Sequence, residues 1–177
     1  MQYIQPRLLQ HKFLDVYRTC RSVPVVGAQL FGLYIRVAAP YSGSISPRIT
    51  TFTPGHCRIE LEDRPHLRNP FQSLHALALL NAGELATGMA FLSITQALDR
   101  RAIITNLSAD YKKKARGLVV AECQLDADTL TWIQNGGVGP RKVTANITDL
   151  DGDVVAVCTA DWHVAKDRPT VKAAPLE

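Results

Sequence analysis

At 177 residues, 46% of them hydrophobic and 20% charged, the chain has enough apolar material for one core and too little length for two ordinary domains. Its net charge of +4 is too mild for a dedicated nucleic-acid binder and suits an anionic small molecule at least as well. Four cysteines, Cys20, Cys57, Cys123 and Cys158, contain no close pair, so zinc and thioredoxin-like motifs have no support and neither a metal nor an organic cofactor is expected.

The first residues, Met1-Gln2-Tyr3-Ile4-Gln5-Pro6-Arg7, lack the apolar stretch of a signal peptide. No apolar run reaches the roughly 20 residues of a membrane span; the run from Leu74 to Leu80 is short and contains His75. The chain therefore reads as soluble and cytoplasmic. Residues 7–20 place Leu8, Leu9, Phe13, Val16 and Tyr17 near helical spacing, which predicts an amphipathic N-terminal helix. Residues 25–38 are apolar almost throughout and fit a second helix or a strand, and residues 40–47 punctuate the chain. Residues 48–53 and 56–62 alternate polar and apolar positions around Pro54-Gly55, the pattern of a hairpin.

A proline-containing loop through Pro65 and Pro70 leads to residues 73–96, rich in Leu and Ala and free of proline. This is the longest predicted helix, and it is apolar on nearly every face, as a helix wrapped by other elements must be. Residues 102–111, 117–125, 141–150 and 153–165 read as four strands, separated by the Lys-rich stretch 112–116, Asn135-Gly136-Gly137 and Asp151-Gly152-Asp153. Asn135 to Gly139 reads as a flexible hairpin loop without the phosphate-loop pattern. Asp149 to Asp153 resembles part of a calcium loop but lacks the distal glutamate, so it reads as a turn.

A hairpin, one buried helix and a run of antiparallel strands indicate an α+β domain, a curled sheet around a central helix. The expected organisation is one domain over residues 1–177, with a helical extension at 1–44, a core at 45–166 and an extended tail at 167–177.

The chemistry-bearing candidates lie between Asn69 and Glu84. Glu84 stands in the middle of the apolar helix, where an unpaired carboxylate is costly. Such a group is either satisfied by a neighbouring strand or solvent, or is a base or nucleophile set by a partly dry pocket. His75 alone is a capping or core histidine, and Asn69 alone is a turn residue. Lys112, Lys113, Lys114 and Arg116 form the densest basic cluster, either a solvated turn or a mouth for phosphates, with Arg141-Lys142 as a second contributor.

Asn69, then His75 at the start of a long helix, then Glu84 nine residues on, resembles PaaI-type hotdog thioesterases. Glu84-Leu85-Ala86-Thr87-Gly88 is similar to the glutamate-using 4-hydroxybenzoyl-CoA thioesterase branch, and the extra N-terminal helix resembles a PaaI-like branch. The resemblance covers roughly residues 45–165 and implies a hotdog fold, an acyl-CoA or related thioester as substrate, and a homodimer or dimer of dimers with shared sites. It also implies roles: the Ala76 N–H at the helix start polarises the thioester carbonyl, Glu84 of the other subunit is base or nucleophile, and Asn69 positions water or carbonyl. The family's two glycines after the histidine are Ala76 and Leu77 here, and their side chains narrow the thioester slot. A serine or threonine on the next strand, present in some relatives, would fall near Ile104, with Thr105 and Asn106 beside it. Thioester hydrolysis is the leading expectation. A non-catalytic acyl-CoA or lipid-binding hotdog protein and an acyl-thioester hydratase or dehydratase are the alternatives.

Overall fold

The computed structural model describes residues 12–165. Three helices precede the sheet: α1 (Phe13–Arg21), α2 (Gly27–Ala38) and the single short α3 (Pro40–Ser44). The start of the expected N-terminal helix and the tail beyond 165 lie outside the described residues. The ambiguous segment 25–38 is thus resolved as helix. Tyr17 of α1 and Phe31 of α2 meet edge to face, with ring centroids 5.0 Å apart, and both pack on Phe52. This aromatic cluster fastens the extension to β1 (Arg48–Thr53), which forms the expected hairpin with β2 (His56–Leu61). Gly55 turns that hairpin at φ +75°, where a side chain would be strained.

The other strands are β3 (Ala102–Tyr111), β4 (Val119–Gln124), β5 (Gly139–Asp149) and β6 (Val154–Val164). All pairs are antiparallel, in the order β1-β2-β4-β5-β6-β3. Register shifts mark bulges in β1, β3 and β6, which bend a strand and increase its twist. The sheet curls around α4 (Ala76–Thr95), which touches all six strands. This is the α+β architecture the sequence predicts.

Small residues on α4 make the close wrapping possible. A methyl group built on Gly83 would stand 2.3 Å from the Cys158 β-carbon of β6, and one on Gly88 would stand 3.2 Å from the Trp162 ring. α4 is also long and apolar enough to cross a bilayer, with a mean hydropathy of 1.4. Length and composition alone give that, and Asn81 and Glu84 interrupt its apolar run. Of its apolar stretch, 72% is buried in this protein, as a core helix requires.

One element is new. Between β4 and β5 lies α5 (Ala127–Gln134), whose N-terminus is capped by Asp126 through a 2.6 Å bond from the Thr129 N–H. Asn135 and Gly136 close that helix, so the glycine-rich stretch is a helix end and not a hairpin loop. Asp149 to Asp153 is the expected turn: Asp149 Oδ1 accepts from the N–H groups of Asp151 and Asp153.

Candidate active site

His75 is the N-cap of α4, and its Nδ1 accepts from the Leu77 N–H at 3.1 Å. The preceding loop is pinned from both sides. The Leu74 N–H reaches the Ala115 carbonyl, Arg116 Nε reaches the Gln72 carbonyl, and Asp63 holds both Arg68 and the Gly117 N–H. Pairing with Arg68, followed by the Gly117 bond, holds the Asp63 carboxyl below its ordinary range. The start of α4 is therefore fixed against the 112–117 turn, and the Ala76 N–H at its first position has no partner among the described residues.

A cavity of about 250 Å³ opens there, lined among others by Asn69, Ala76, Tyr111, Lys112, Lys113 and Lys114. The structure thus brings together the predicted loop asparagine, helix start and basic cluster. Their states differ from the expectation in detail. Asn69 Oδ1 accepts from the Phe71 N–H at 2.9 Å and its amide donates to the Ser73 hydroxyl at 3.0 Å, so the side chain chiefly shapes its own loop. Lys113 is held by Asp149 and Asp153 at 2.8 and 2.5 Å, which raises its pKa. Lys114 lies over the exposed Phe71 ring, 5.6 Å from its centre. Lys112 keeps its charge unpaired among the described residues. Arg141 belongs elsewhere: it stacks on Trp132 and bonds Thr129, roughly 20 Å along β5 from the lysines.

Glu84 lines a different cavity, of about 590 Å³, on the other side of α4. Its walls come from three segments: Tyr41 and Ser42 of α3, Leu77, Leu80 and Asn81 of α4, and residues 104–107 of β3. The Glu84 carboxylate is half-buried and takes neither hydrogen bond nor ion pair among the described residues, and burial pushes its pKa up. Burial, joined by the nearby Glu84 charge, holds the Cys158 thiol up to about 12. That thiol is inert. Cys57 and Cys123 are likewise buried and free.

The bulge at Thr105 shifts the alternation of β3 by one residue. Ile104 and Leu107 both turn toward α4, leaving exposed Thr105 and Asn106 between them at the cavity. Thr105 donates to the Asp161 carbonyl at 3.0 Å, and Asn106 to the Asp161 carboxylate at 3.2 Å. Leu77 lines this larger cavity and not the one at the helix start, so it leaves the Ala76 N–H uncovered. Asn81 went unselected in the sequence, although it stands one helical turn before Glu84; its amide donates to the Tyr41 carbonyl at 3.3 Å. Within one chain, Glu84 and the Ala76 N–H do not meet: they are about 12 Å apart along the axis and serve separate cavities. Among the described residues no group of three His, Cys, Asp or Glu side chains is placed to hold a metal ion.

Residues 27–164 match the family described as "Domain of unknown function (DUF4442)". No curated protein matches the chain. Among solved structures, the genomics target APC5556 superposes with a TM-score of 0.71 at 25% identity, over 86% of this chain and 99% of its own. A Pseudomonas aeruginosa protein described as a probable thioesterase gives 0.66 at 22% identity, over 80% and 95%. The E. coli PaaI protein gives 0.61 at 13% identity, over 89% and 96%. These likenesses establish the fold, the hotdog arrangement of a curled sheet around one helix.

Proposed function

The chain belongs to the DUF4442 family, and from that premise we propose that it hydrolyses an acyl-CoA or related thioester at sites shared between two subunits. The observation that carries the reading is Glu84, a half-buried carboxylate without a partner among the described residues, raised in pKa, facing a cavity of about 590 Å³. A carboxylate raised this way is a stronger base than an ordinary exposed one. The thioesterase name of the Pseudomonas relative points to the same chemistry.

A shared site joins what one chain separates. β3 is an edge strand of ten residues with one side unpaired, open to a second β3. Residues 104–107 line the Glu84 cavity, and Tyr111 and Lys112 line the helix-start cavity. Antiparallel pairing of two β3 strands about an axis near Ser108 sets Thr105 opposite Tyr111 of the partner subunit. Each Glu84 cavity then faces the partner's Ala76 N–H and lysines.

In that arrangement the Ala76 N–H and the start of α4 stabilise the oxyanion formed at the carbonyl. Glu84 takes a proton from the attacking water, the carbon–sulfur bond breaks, and the thiolate leaves and is protonated to free thiol. Lys112 and Lys114 meet phosphates, with Phe71 as a stacking face for a base.

A second reading, a non-catalytic acyl-CoA or lipid binder, is favoured by Asn69 and His75, whose side chains are spent on their own loop and cap. An acyl-CoA panel varied in chain length and aromatic acyl groups separates the two. Release of thiol by the wild type and its loss in Glu84→Ala supports hydrolysis; binding without thiol release supports the binder. Consumption of an enoyl thioester without thiol release would instead indicate hydration.

A further inference from the structure

The chain's positive excess lies in one stretch. Residues 16–59 contain no aspartate or glutamate, and Arg18, Arg21, Arg36, Arg48 and Arg58 give them +5, against +4 for the whole chain. Arg18, Arg48 and Arg58 are paired with Asp15, Glu60 and Glu122. Arg36 donates only to the neutral Ser46 hydroxyl, and Arg21 has no carboxylate partner among the described residues.

The same stretch turns an ordered apolar face to solvent. Val26, Leu30, Leu33 and Val37 recur at spacings of four, three and four, so they fall on one stripe of α2. All four are exposed, Leu33 at 59%. The buried stripe of α2 is Phe31 and Ile35, so the helix is apolar on two sides with a core beneath only one. Val23 and Val25 carry the exposed stripe onto the turn before α2. Val25 is 93% exposed and sits at φ +68°, a conformation β-branched residues avoid. Neither packing nor backbone preference accounts for a valine there.

We infer that this face of α2 docks on an anionic membrane surface, with its aliphatic side chains among the acyl chains and Arg21 and Arg36 against headgroup phosphates. A helix lying in the interface has this make-up: an apolar face flanked by arginine and free of acids. The four-three-four spacing also suits a helix–helix seam. A second copy, however, would bring the same α2, which carries Arg36 and no acid, against this one, and like charges opposed across a contact repel. A groove of about 440 Å³ beside the stripe, walled in part by Val25, Leu33, Arg36 and Arg48, has room for a headgroup. Tyr41, exposed on α3 just after α2, also lines the Glu84 cavity. If the thioesterase reading holds, docking brings that cavity to the layer where long-chain acyl thioesters partition; the docking itself does not depend on that reading.

The test is co-sedimentation of the full chain with phosphatidylcholine vesicles, with and without phosphatidylglycerol, at low and high salt. Binding should require the anionic lipid and weaken with salt. Leu30→Ser/Leu33→Ser and Arg21→Gln/Arg36→Gln should each lower it at least ten-fold. Both pairs are surface substitutions, so unchanged melting temperatures and unchanged turnover of a water-soluble short-chain thioester would show the fold and site intact. Absence of vesicle binding, or equal binding by the leucine variant, overturns the proposal. So does an oligomer in light scattering that the leucine variant dissolves, which would make the stripe a protein seam.

Discussion

Gly83 of α4 and Cys158 of β6 are in such close apposition that a methyl group on the glycine would stand 2.3 Å from the Cys158 β-carbon and 2.9 Å from its sulfur. The contact fixes how near the helix lies to the sheet, and Glu84 is the next residue. Gly83→Ala must therefore push the helix and β6 apart. The expected loss is about 1–3 kcal/mol, the usual cost of overpacking a core, read as a lower denaturant midpoint. Activity should fall with it, because the carboxylate moves with its backbone.

Glu84 links pH to both stability and turnover. Its pKa is raised on folding by burial, so between the unfolded value near 4.5 and the higher folded value the native protein binds more protons than the unfolded chain. Stability contributed by the protonated acid is complete below the unfolded value and is lost as pH rises through the folded one. Glu84→Gln should hence melt higher than wild type at neutral pH, and the difference should vanish in acid. Hydrolysis moves the other way. The wild-type rate should fall on the acid side as Glu84 protonates, and Glu84→Gln should lose at least a hundred-fold in kcat, in line with general-base contributions of about 10²–10⁴.

The basic cluster should not act as four equal charges. Lys113 is neutralised by Asp149 and Asp153, whereas Lys112 and Lys114 flank the start of α4. Lys112→Glu/Lys114→Glu should raise KM for a CoA thioester about ten-fold with little change in kcat, and the effect should shrink at high salt. Lys113→Gln should change KM less. Steady-state kinetics on the three proteins at two ionic strengths checks the order.

Sheet and central helix were legible because their signals are local. β3 was placed from a strand-like run closed by the Lys-rich stretch 112–116, and α4 from a proline-free stretch rich in Leu and Ala. α5 was not, because Ala127-Asp-Thr-Leu-Thr-Trp-Ile-Gln134 is short and rich in threonine, and Asn135-Gly136-Gly137 imitates a hairpin turn. The helix start was singled out from sequence through a family resemblance, and the lysines by their charge density. The walls of the Glu84 cavity could not: Tyr41, Asn81 and Thr105 come from three elements, and a bulge sets the last. A bulge leaves no mark in an alternating pattern until the strand's partner is known.

The subunit arrangement has its own test at Ser108, an exposed residue of the edge strand β3. If two β3 strands pair about an axis near this residue, its side chain meets its own copy across the interface. Like charges directly opposite each other on paired strands are destabilising. Ser108→Arg and Ser108→Glu should each shift the protein toward monomer in light scattering, with thiol release falling alongside. Mixing the two should restore both dimer and activity, because arginine then faces glutamate. Edge pairing at another register would leave the single variants dimeric. Activity that survives in a monomer would place the whole site within one chain.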